Sequence, residues 1–221
     1  MYLQKTFINY DETNFTDDPG RKKAVVKRRS KYPNRIMNFT KTSTSVMVAG
    51  TASGCLLPPY VVYKAQNMWD TWTTGGPEGA RYNRSESGWF DTFSFEDWLC
   101  KIIVPYARRL PGKKILIGDN LSSHLSIHAV EVCEQNNIDF VLLPPNSTHI
   151  AQPLDVALFG PMKRGWRKIL TNWKEKEGRR QANIPKEVFP RLLRQLISSF
   201  ENASQNLKSG FKSIIVLKSV F

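Results

Sequence analysis

The sequence predicts an α/β fold: a mixed sheet opened by a three-strand antiparallel meander, continued by strands alternating with helices, and flanked by further helices. Three observations carry that expectation. Short apolar runs separated by turn residues occupy the chain up to Tyr63. From Ser94 onward, stripes of helical period alternate with short apolar runs. With 41% apolar and 11% aromatic residues among 221, the chain can bury one substantial core, which fits a single domain spanning residues 1–221.

The elements follow in order. Lys5-Thr-Phe-Ile-Asn-Tyr10 reads as a strand that ends at Asp11-Glu12-Thr13, before the turn residues Asp17-Asp-Pro-Gly20. Residues 20–42 form a basic loop. Ser45–Ala49 and Leu56–Tyr63 read as strands of a hairpin around the small-residue stretch Gly50–Gly54. Residues 64–92, rich in Gly, Thr and Asn, lack any period and are expected to be an irregular excursion. Ser94-Phe-Glu-Asp97 resembles a capping start for a helix to about Arg109, with Trp98, Ile102 and Tyr106 four apart. Lys113–Gly118 is a short strand ending on Asp119. A helix over Ser126–Asn136 and a buried strand, Phe140–Leu143, follow before Pro144-Pro145. Helices are expected over residues 156–207. Phe159, Met162, Trp166, Ile169 and Trp173 make the stripe of the first, in whose pattern Pro161 marks a start or a kink. Val188, Leu192, Leu196 and Phe200 make that of the last. This order of elements is that of the ribonuclease H-like fold.

Charge narrows the partner. There are 32 Lys and Arg against 19 Asp and Glu, a formal charge of +13, which points to a polyanion. The excess is concentrated. Residues 21–35 hold Arg21, Lys22, Lys23, Lys27, Arg28, Arg29, Lys31 and Arg35 without an acid, and residues 163–180 add a second cluster that begins with Lys163, Arg164, Arg167 and Lys168. Contacts of this kind with phosphates give affinity and salt dependence with little sequence choice. The Arg21–Lys31 cluster also reads as a nuclear-import signal, and a nuclear location is expected. Cys55, Cys100 and Cys133 are odd in number and form no C-x-x-C pair, which suits buried reduced thiols within a cell. No apolar run reaches a membrane span, and the first eleven residues lack the order of a signal peptide, so a soluble protein without a membrane partner is expected.

Two acids, Asp11 and Asp119, each close an apolar run, and strand ends are where open sheets gather their sites. Asp155, in Gln152-Pro-Leu-Asp155, begins the Trp-striped helix. Each has an ordinary structural role as well: a turn for the first two, a helix cap for the third.

Their flanks are more specific. Phe7-Ile-Asn-Tyr-Asp11-Glu12-Thr13, Leu116-Ile-Gly-Asp119-Asn120-Leu-Ser-Ser-His124 and Leu142-Leu-Pro-Pro-Asn-Ser-Thr-His149-Ile-Ala-Gln152-Pro-Leu-Asp155-Val-Ala-Leu-Phe-Gly160-Pro-Met-Lys163 resemble the catalytic-domain motifs of DDE/DDD transposases, above all the pogo, Tigger, Jerky and centromere protein B branch of the mariner-like elements. The resemblance runs from about Phe7 to Phe211. It implies that Asp11, Asp119 and Asp155 are the catalytic, metal-binding triad, serving two Mg²⁺ ions per site with Mn²⁺ as a substitute, in DNA cleavage and strand transfer. The chemistry is independently sound, since three gathered carboxylates repel one another until cations compensate them. His124, His149 and Asn120 lie within the motifs. The two histidines could order the site or touch phosphate, and strand alternation should turn Asn120 and Glu12 away from the triad. Double-stranded DNA is the expected partner, with a homodimer as a further expectation and no small-molecule cofactor.

Other readings stay open. The family's N-terminal helix-turn-helix is not among these residues, Asn14 stands where Gly is usual, and residues 210–221 diverge from the family's ending as an exposed apolar tail. A domesticated descendant that binds DNA and keeps the acids as relics, or a general ribonuclease H-like nuclease, would show much of the same sequence. His124 and His128, four apart, could share zinc, but no third ligand accompanies them. Trp69, Trp72 and Trp89 could stack on unpaired bases or pack on the domain.

Overall fold

The computed structural model describes residues 6–19, 42–119, 126–144 and 152–218, with side chains as far as residue 214. Six strands form one sheet: β1 (Phe7–Thr16), β2 (Ser43–Thr51), β3 (Tyr60–Lys64), β4 (Arg81–Ser85), β5 (Lys114–Gly118) and β6 (Ile138–Leu142), in the order β4-β3-β2-β1-β5-β6. β1, β2 and β3 are the antiparallel meander, while β5 runs parallel to β1 and β6 parallel to β5. The expected α/β architecture, a ribonuclease H-like fold with a mixed sheet and flanking helices, is the observed one.

Strand alternation sorts the core into two layers. Ile8 and Tyr10 of β1, Met47 and Ala49 of β2, Tyr60 and Val62 of β3 and Leu116 of β5 face one side. There they meet a long helix made of α1 (Thr92–Trp98), a π-helical stretch (Leu99–Ile103) and α2 (Val104–Ala107), together with α3 (Ile127–Gln135). Phe15, Val46, Val48, Val61 and Tyr63 face the other side. That side is covered by a second π-helical stretch (Leu154–Leu158), α4 (Phe159–Glu175), α5 (Phe189–Ser198) and α6 (Ala203–Lys218). Trp166 of α4 fastens the layers, its indole 4.9 Å from the Phe15 ring and its Nε1 donating to the Thr16 carbonyl at 2.9 Å.

Several boundaries differ from the sequence expectation: β3 begins at Tyr60 where a strand from Leu56 is expected, β6 begins at Ile138 in place of Phe140, and four further differences bear on the architecture. β1 does not stop at Tyr10. It runs to Thr16 because the antiparallel ladder with β2 pairs every residue from Ile8 to Thr16 and buries Thr13 and Phe15. The expected irregular excursion, residues 64–92, contains β4, an edge strand parallel to β3. An edge strand with one covered face and solvent around it needs little apolar alternation, and only Ser85 of its five residues is buried. The long helix starts at Thr92 under an Asp91 cap, whose carboxylate accepts from Ser94 N at 2.8 Å. Residues 203–218 are a single helix in place of a tail that diverges at 210. Leu207 and Phe211 are buried, and α6 lies against the Leu154–Leu158 stretch.

Candidate active site

The parallel register of β1 and β5 sets the site. Phe7, Ile8 and Asn9 pair with Ile115, Leu116 and Ile117, and two further steps put Asp119 level with Asp11. Both then lie on the face covered by Leu154–Leu158, because Tyr10 and Leu116 point to the opposite layer. Gly118 permits this approach. The Tyr10 ring crosses it so closely that a Cβ at Gly118 would sit 2.1–2.3 Å from the ring carbons and hydroxyl. The ring itself is fully buried, 4.8 Å from Trp98 and 5.6 Å from Phe95 between centroids.

Two buried side-chain amides join the three acid-bearing segments. Asn9, wholly inaccessible, donates through Nδ2 to the Ile117 carbonyl at 2.9 Å and accepts the Leu154 amide on Oδ1 at 3.1 Å. It thereby ties β1 to β5 two residues before Asp11 and Asp119, and ties both to the residue before Asp155. Gln152, equally buried, donates through Nε2 to the Tyr10 carbonyl at 3.1 Å and hydrogen-bonds the Asp11 carboxylate. These two residues escape a search for titratable groups. The signal for Asn9 is local: a polar amide within the apolar run Phe-Ile-Asn-Tyr of a strand buried on both faces.

The electrostatics record the same convergence. Asp11 is pushed from 3.8 up to about 8, first by burial, then by the negative charges of Asp155 and Asp119, against the opposing hydrogen bonds from Glu12 N and Gln152. Asp155 is also raised, by desolvation and by Asp119, while the ammonium of Lys163 on α4 pulls it down. Asp119 thus acts on both of the other aspartates, and Asp155 acts on Asp11. Contact is looser than shared coordination: among the described residues no three His, Cys, Asp or Glu side chains are gathered closely enough to hold a metal ion. The donor chemistry does fit a hard divalent ion. A carboxyl disfavoured by burial and by two like charges gains more from a nearby cation than an exposed one does.

The remaining sequence candidates divide. Lys163, Arg164, Arg167 and Lys168 form the exposed face of α4, as expected. Arg21, Lys22, Lys23, Lys27, Arg28, Arg29, Lys31, Asn120, His124 and His149 lie outside the described residues. Of the tryptophans, Trp72 is packed, with its ring 5.9 Å from Tyr63 and the Lys186 ammonium 4.4 Å over its face. Trp69 and Trp89 are 62% and 54% exposed. Cys133 is buried, but Cys55 is exposed and Cys100 half-exposed, so the expectation of three buried thiols holds for one.

Residues 40–216 match the family of DDE superfamily endonucleases. The chain belongs to that family. It is 28% identical over 168 residues to the MFS-type transporter clz9 of Cochliobolus lunatus, covering 74% of this chain and 18% of that protein. To the pogo transposable element with KRAB domain of Homo sapiens it is 26% identical over 160 residues, 71% of this chain and 24% of that one. It therefore spans a quarter or less of the curated relatives it matches. No helix among the described residues is long and apolar enough to cross a membrane. Among solved structures, the Mos1 transposase paired-end complex with left transposon end matches with a TM-score of 0.52 at 15% identity, over 94% of this chain and 56% of that one. The Mos1 mariner paired end complex with Mn matches with a TM-score of 0.50 at 14% identity, over 92% and 55%. The chain is a DDE superfamily endonuclease domain similar in sequence to the pogo relative, and its layered sheet is the fold found in the Mos1 transposase of these complexes.

Proposed function

We propose that this DDE endonuclease domain binds double-stranded DNA and cleaves and transfers its strands at a site formed by Asp11, Asp119 and Asp155. The observation that supports the reading is that Asp155 and Asp119 both raise Asp11, and Asp119 raises Asp155, where the interior strands β1 and β5 meet the Leu154–Leu158 stretch. These carboxylates would hold two divalent cations, Mg²⁺ or in its place Mn²⁺. Held there, such ions would supply Lewis acidity for an attacking water and positive charge beside the phosphate. The chain's own contribution is placement. Asn9 and Gln152 hold the three backbones together, so that closure of the site costs little reorganisation. Lys163, Arg164, Arg167 and Lys168 on α4, and the Arg21–Lys31 cluster, would take the phosphates on either side. The transposon end in the Mos1 paired-end complex, and the Mn in another, support the choice of partner and ion. Assembly as a homodimer and a nuclear location belong to the same reading. Sedimentation with and without DNA tests the first, and imaging of a tagged chain before and after neutralising Lys27, Arg28 and Arg29 tests the second.

A second reading, an inactive descendant that binds DNA without cutting it, is favoured by one observation: the described acids are near one another without forming a tight metal cluster. A nicking assay with Mn²⁺ separates the two. The enzyme reading expects nicks from the parent and none from Asp155→Asn, with DNA affinity retained by both. Equal nicking by the variant exposes a contaminant. Tight DNA binding with no nicking and no calorimetric metal binding establishes the inactive descendant.

A further inference from the structure

We infer that a second site, distinct from the aspartates, receives one unpaired nucleotide of a DNA strand in the cleft beside Trp89. The cleft, of about 390 Å³, opens where the ends of β1, β2 and β3 meet the chain around residues 183–186. That volume lies within the roughly 300–1,000 Å³ of sites that enclose small molecules.

Its walls supply the three groups a nucleotide needs. Trp89 gives an aromatic face, and it is presented by a braced turn. Ser85 Oγ donates to the Trp89 carbonyl at 2.7 Å and accepts the Gly88 amide at 3.0 Å, while Trp89 N donates to Ser87 Oγ at 3.1 Å. Gly88 adopts φ +83°, and a Cβ there would meet Lys64 Cβ at 2.8 Å, so the turn is pressed against β3. An indole fixed on so rigid a turn, yet more than half exposed, has its backbone satisfied and its ring at the wall of the cleft. Lys64 and Lys186 supply positive charge at the same wall. Lys186 is immobilised, its Nζ donating to the Lys64 carbonyl at 2.7 Å above the Trp72 face. Hydroxyls of β2 line the floor. The one acid in the wall, Asp17, is turned inward: it accepts from Thr42 Oγ1 and Ile184 N and lies near the Lys174 ammonium, so it does not repel a phosphate strongly.

Position argues for a strand over a free metabolite. Asp17 lies six residues beyond Asp11 on the same extended segment, about 20 Å at roughly 3.4 Å per residue. A DNA strand leaving the aspartates covers that distance in about six nucleotides if it stays stacked at about 3.4 Å each, and in fewer if it is stretched. Stacking on an indole tolerates any base but requires it to be unpaired.

This inference rests on the DNA-binding reading above, and the test separates their failures. Anisotropy is measured with a labelled single strand, a fully paired duplex of the same sequence and a free deoxynucleoside monophosphate as competitor. Trp89→Ala should weaken single-strand binding about 10- to 100-fold, as expected for one lost base stack, and leave duplex binding and the melting temperature unchanged, since the ring is exposed. Trp89→Phe should retain most of the affinity. Trp69→Ala, an equally exposed tryptophan outside the cleft, should have no effect. Parental single-strand affinity in Trp89→Ala, an equal loss in Trp69→Ala, or the mononucleotide competing as well as the strand each overturns the inference while leaving DNA binding intact. No binding of any DNA by the parent overturns both.

Discussion

Replacing Gly118 by Ala tests how the fold brings two acids level. The added Cβ would stand 2.1–2.3 Å from three atoms of the Tyr10 side chain, where carbon atoms normally rest about 3.5–4.0 Å apart. The ring or the β5 backbone must then give way by more than about 1.2 Å. The ring has nowhere to go: it is fully buried, with Trp98, Phe95 and Phe140 around it at 4.8, 5.6 and 6.2 Å between centroids. Overpacking of a core costs about 1–3 kcal/mol, and a clash this deep belongs at the upper end. For a chain of this length each kcal/mol lowers the melting temperature by about 2–4 °C, so Gly118→Ala should melt about 6–12 °C below the parent. Thermal and urea unfolding would measure the loss. The Tyr10→Ala background supplies the control: with the ring gone, Gly118→Ala should cost little, and the double-mutant cycle should report a coupling of about 2 kcal/mol or more. Because the shift falls between Asp11 and Asp119, Mn²⁺ affinity should drop as well. A single variant melting within about 2 °C of the parent, or additive losses in the cycle, would refute the reasoning that Tyr10 and Gly118 set this spacing.

Two further outcomes follow from the same geometry. Asp11 has a folded pKa of about 8 against an unfolded 3.8, so folding favours its protonated form; its contribution is fully present below pH 4 and is lost as pH rises through 8. Asp11→Asn should therefore raise the melting temperature of the metal-free protein at pH 9 while abolishing the stabilisation that Mn²⁺ gives the parent, and a lower melting temperature at pH 9 contradicts the electrostatic account. Asn9→Ala removes both bonds that join β1, β5 and Leu154 and leaves two buried backbone groups without that partner, about 2–5 kcal/mol in urea unfolding; Asn9→Asp, protonated in that buried place below pH 5, keeps an acceptor for Leu154 N and one O–H for the Ile117 carbonyl, and should fall between Asn9→Ala and the parent there.

The parts of the fold legible in the sequence are those in which a single residue pattern and its tertiary neighbours agree. The Trp-striped helix is one case: Phe159, Met162, Trp166 and Trp173 of its stripe are buried and Ile169 is half-buried, with Leu170 beside it taking the deeper place. The helix expected over Ser126–Asn136 is another: it runs over Ile127–Gln135, and the Ser126 hydroxyl accepts the Ala129 amide at 3.0 Å. Where the two disagree, neighbours win. Glu12-Thr-Asn reads as the start of a turn, yet β2 extends the strand through it because the ladder and Phe15 burial are available there. β4 was illegible because an edge strand with one buried residue carries no alternation. The three aspartates are proposed from their flanks, whereas Asn9 and Gln152, which bond the segments that carry them, escape that reading because they have no titratable group.

That division has a physical cause. A local rule is broken wherever the chain places a polar amide inside a buried strand, as at Asn9, or a carboxylate against two others, as at Asp11. The first conflict is resolved within the fold, by Ile117 and Leu154. The second is only partly resolved there: Gln152 and the Glu12 amide bond the Asp11 carboxylate, but burial and the charges of Asp155 and Asp119 outweigh them and leave its pKa near 8. A conflict that the chain settles internally marks architecture, and one that it leaves to the surroundings marks a binding site. By that criterion Asn9 belongs to the frame, and Asp11 is the place for the cation that we propose.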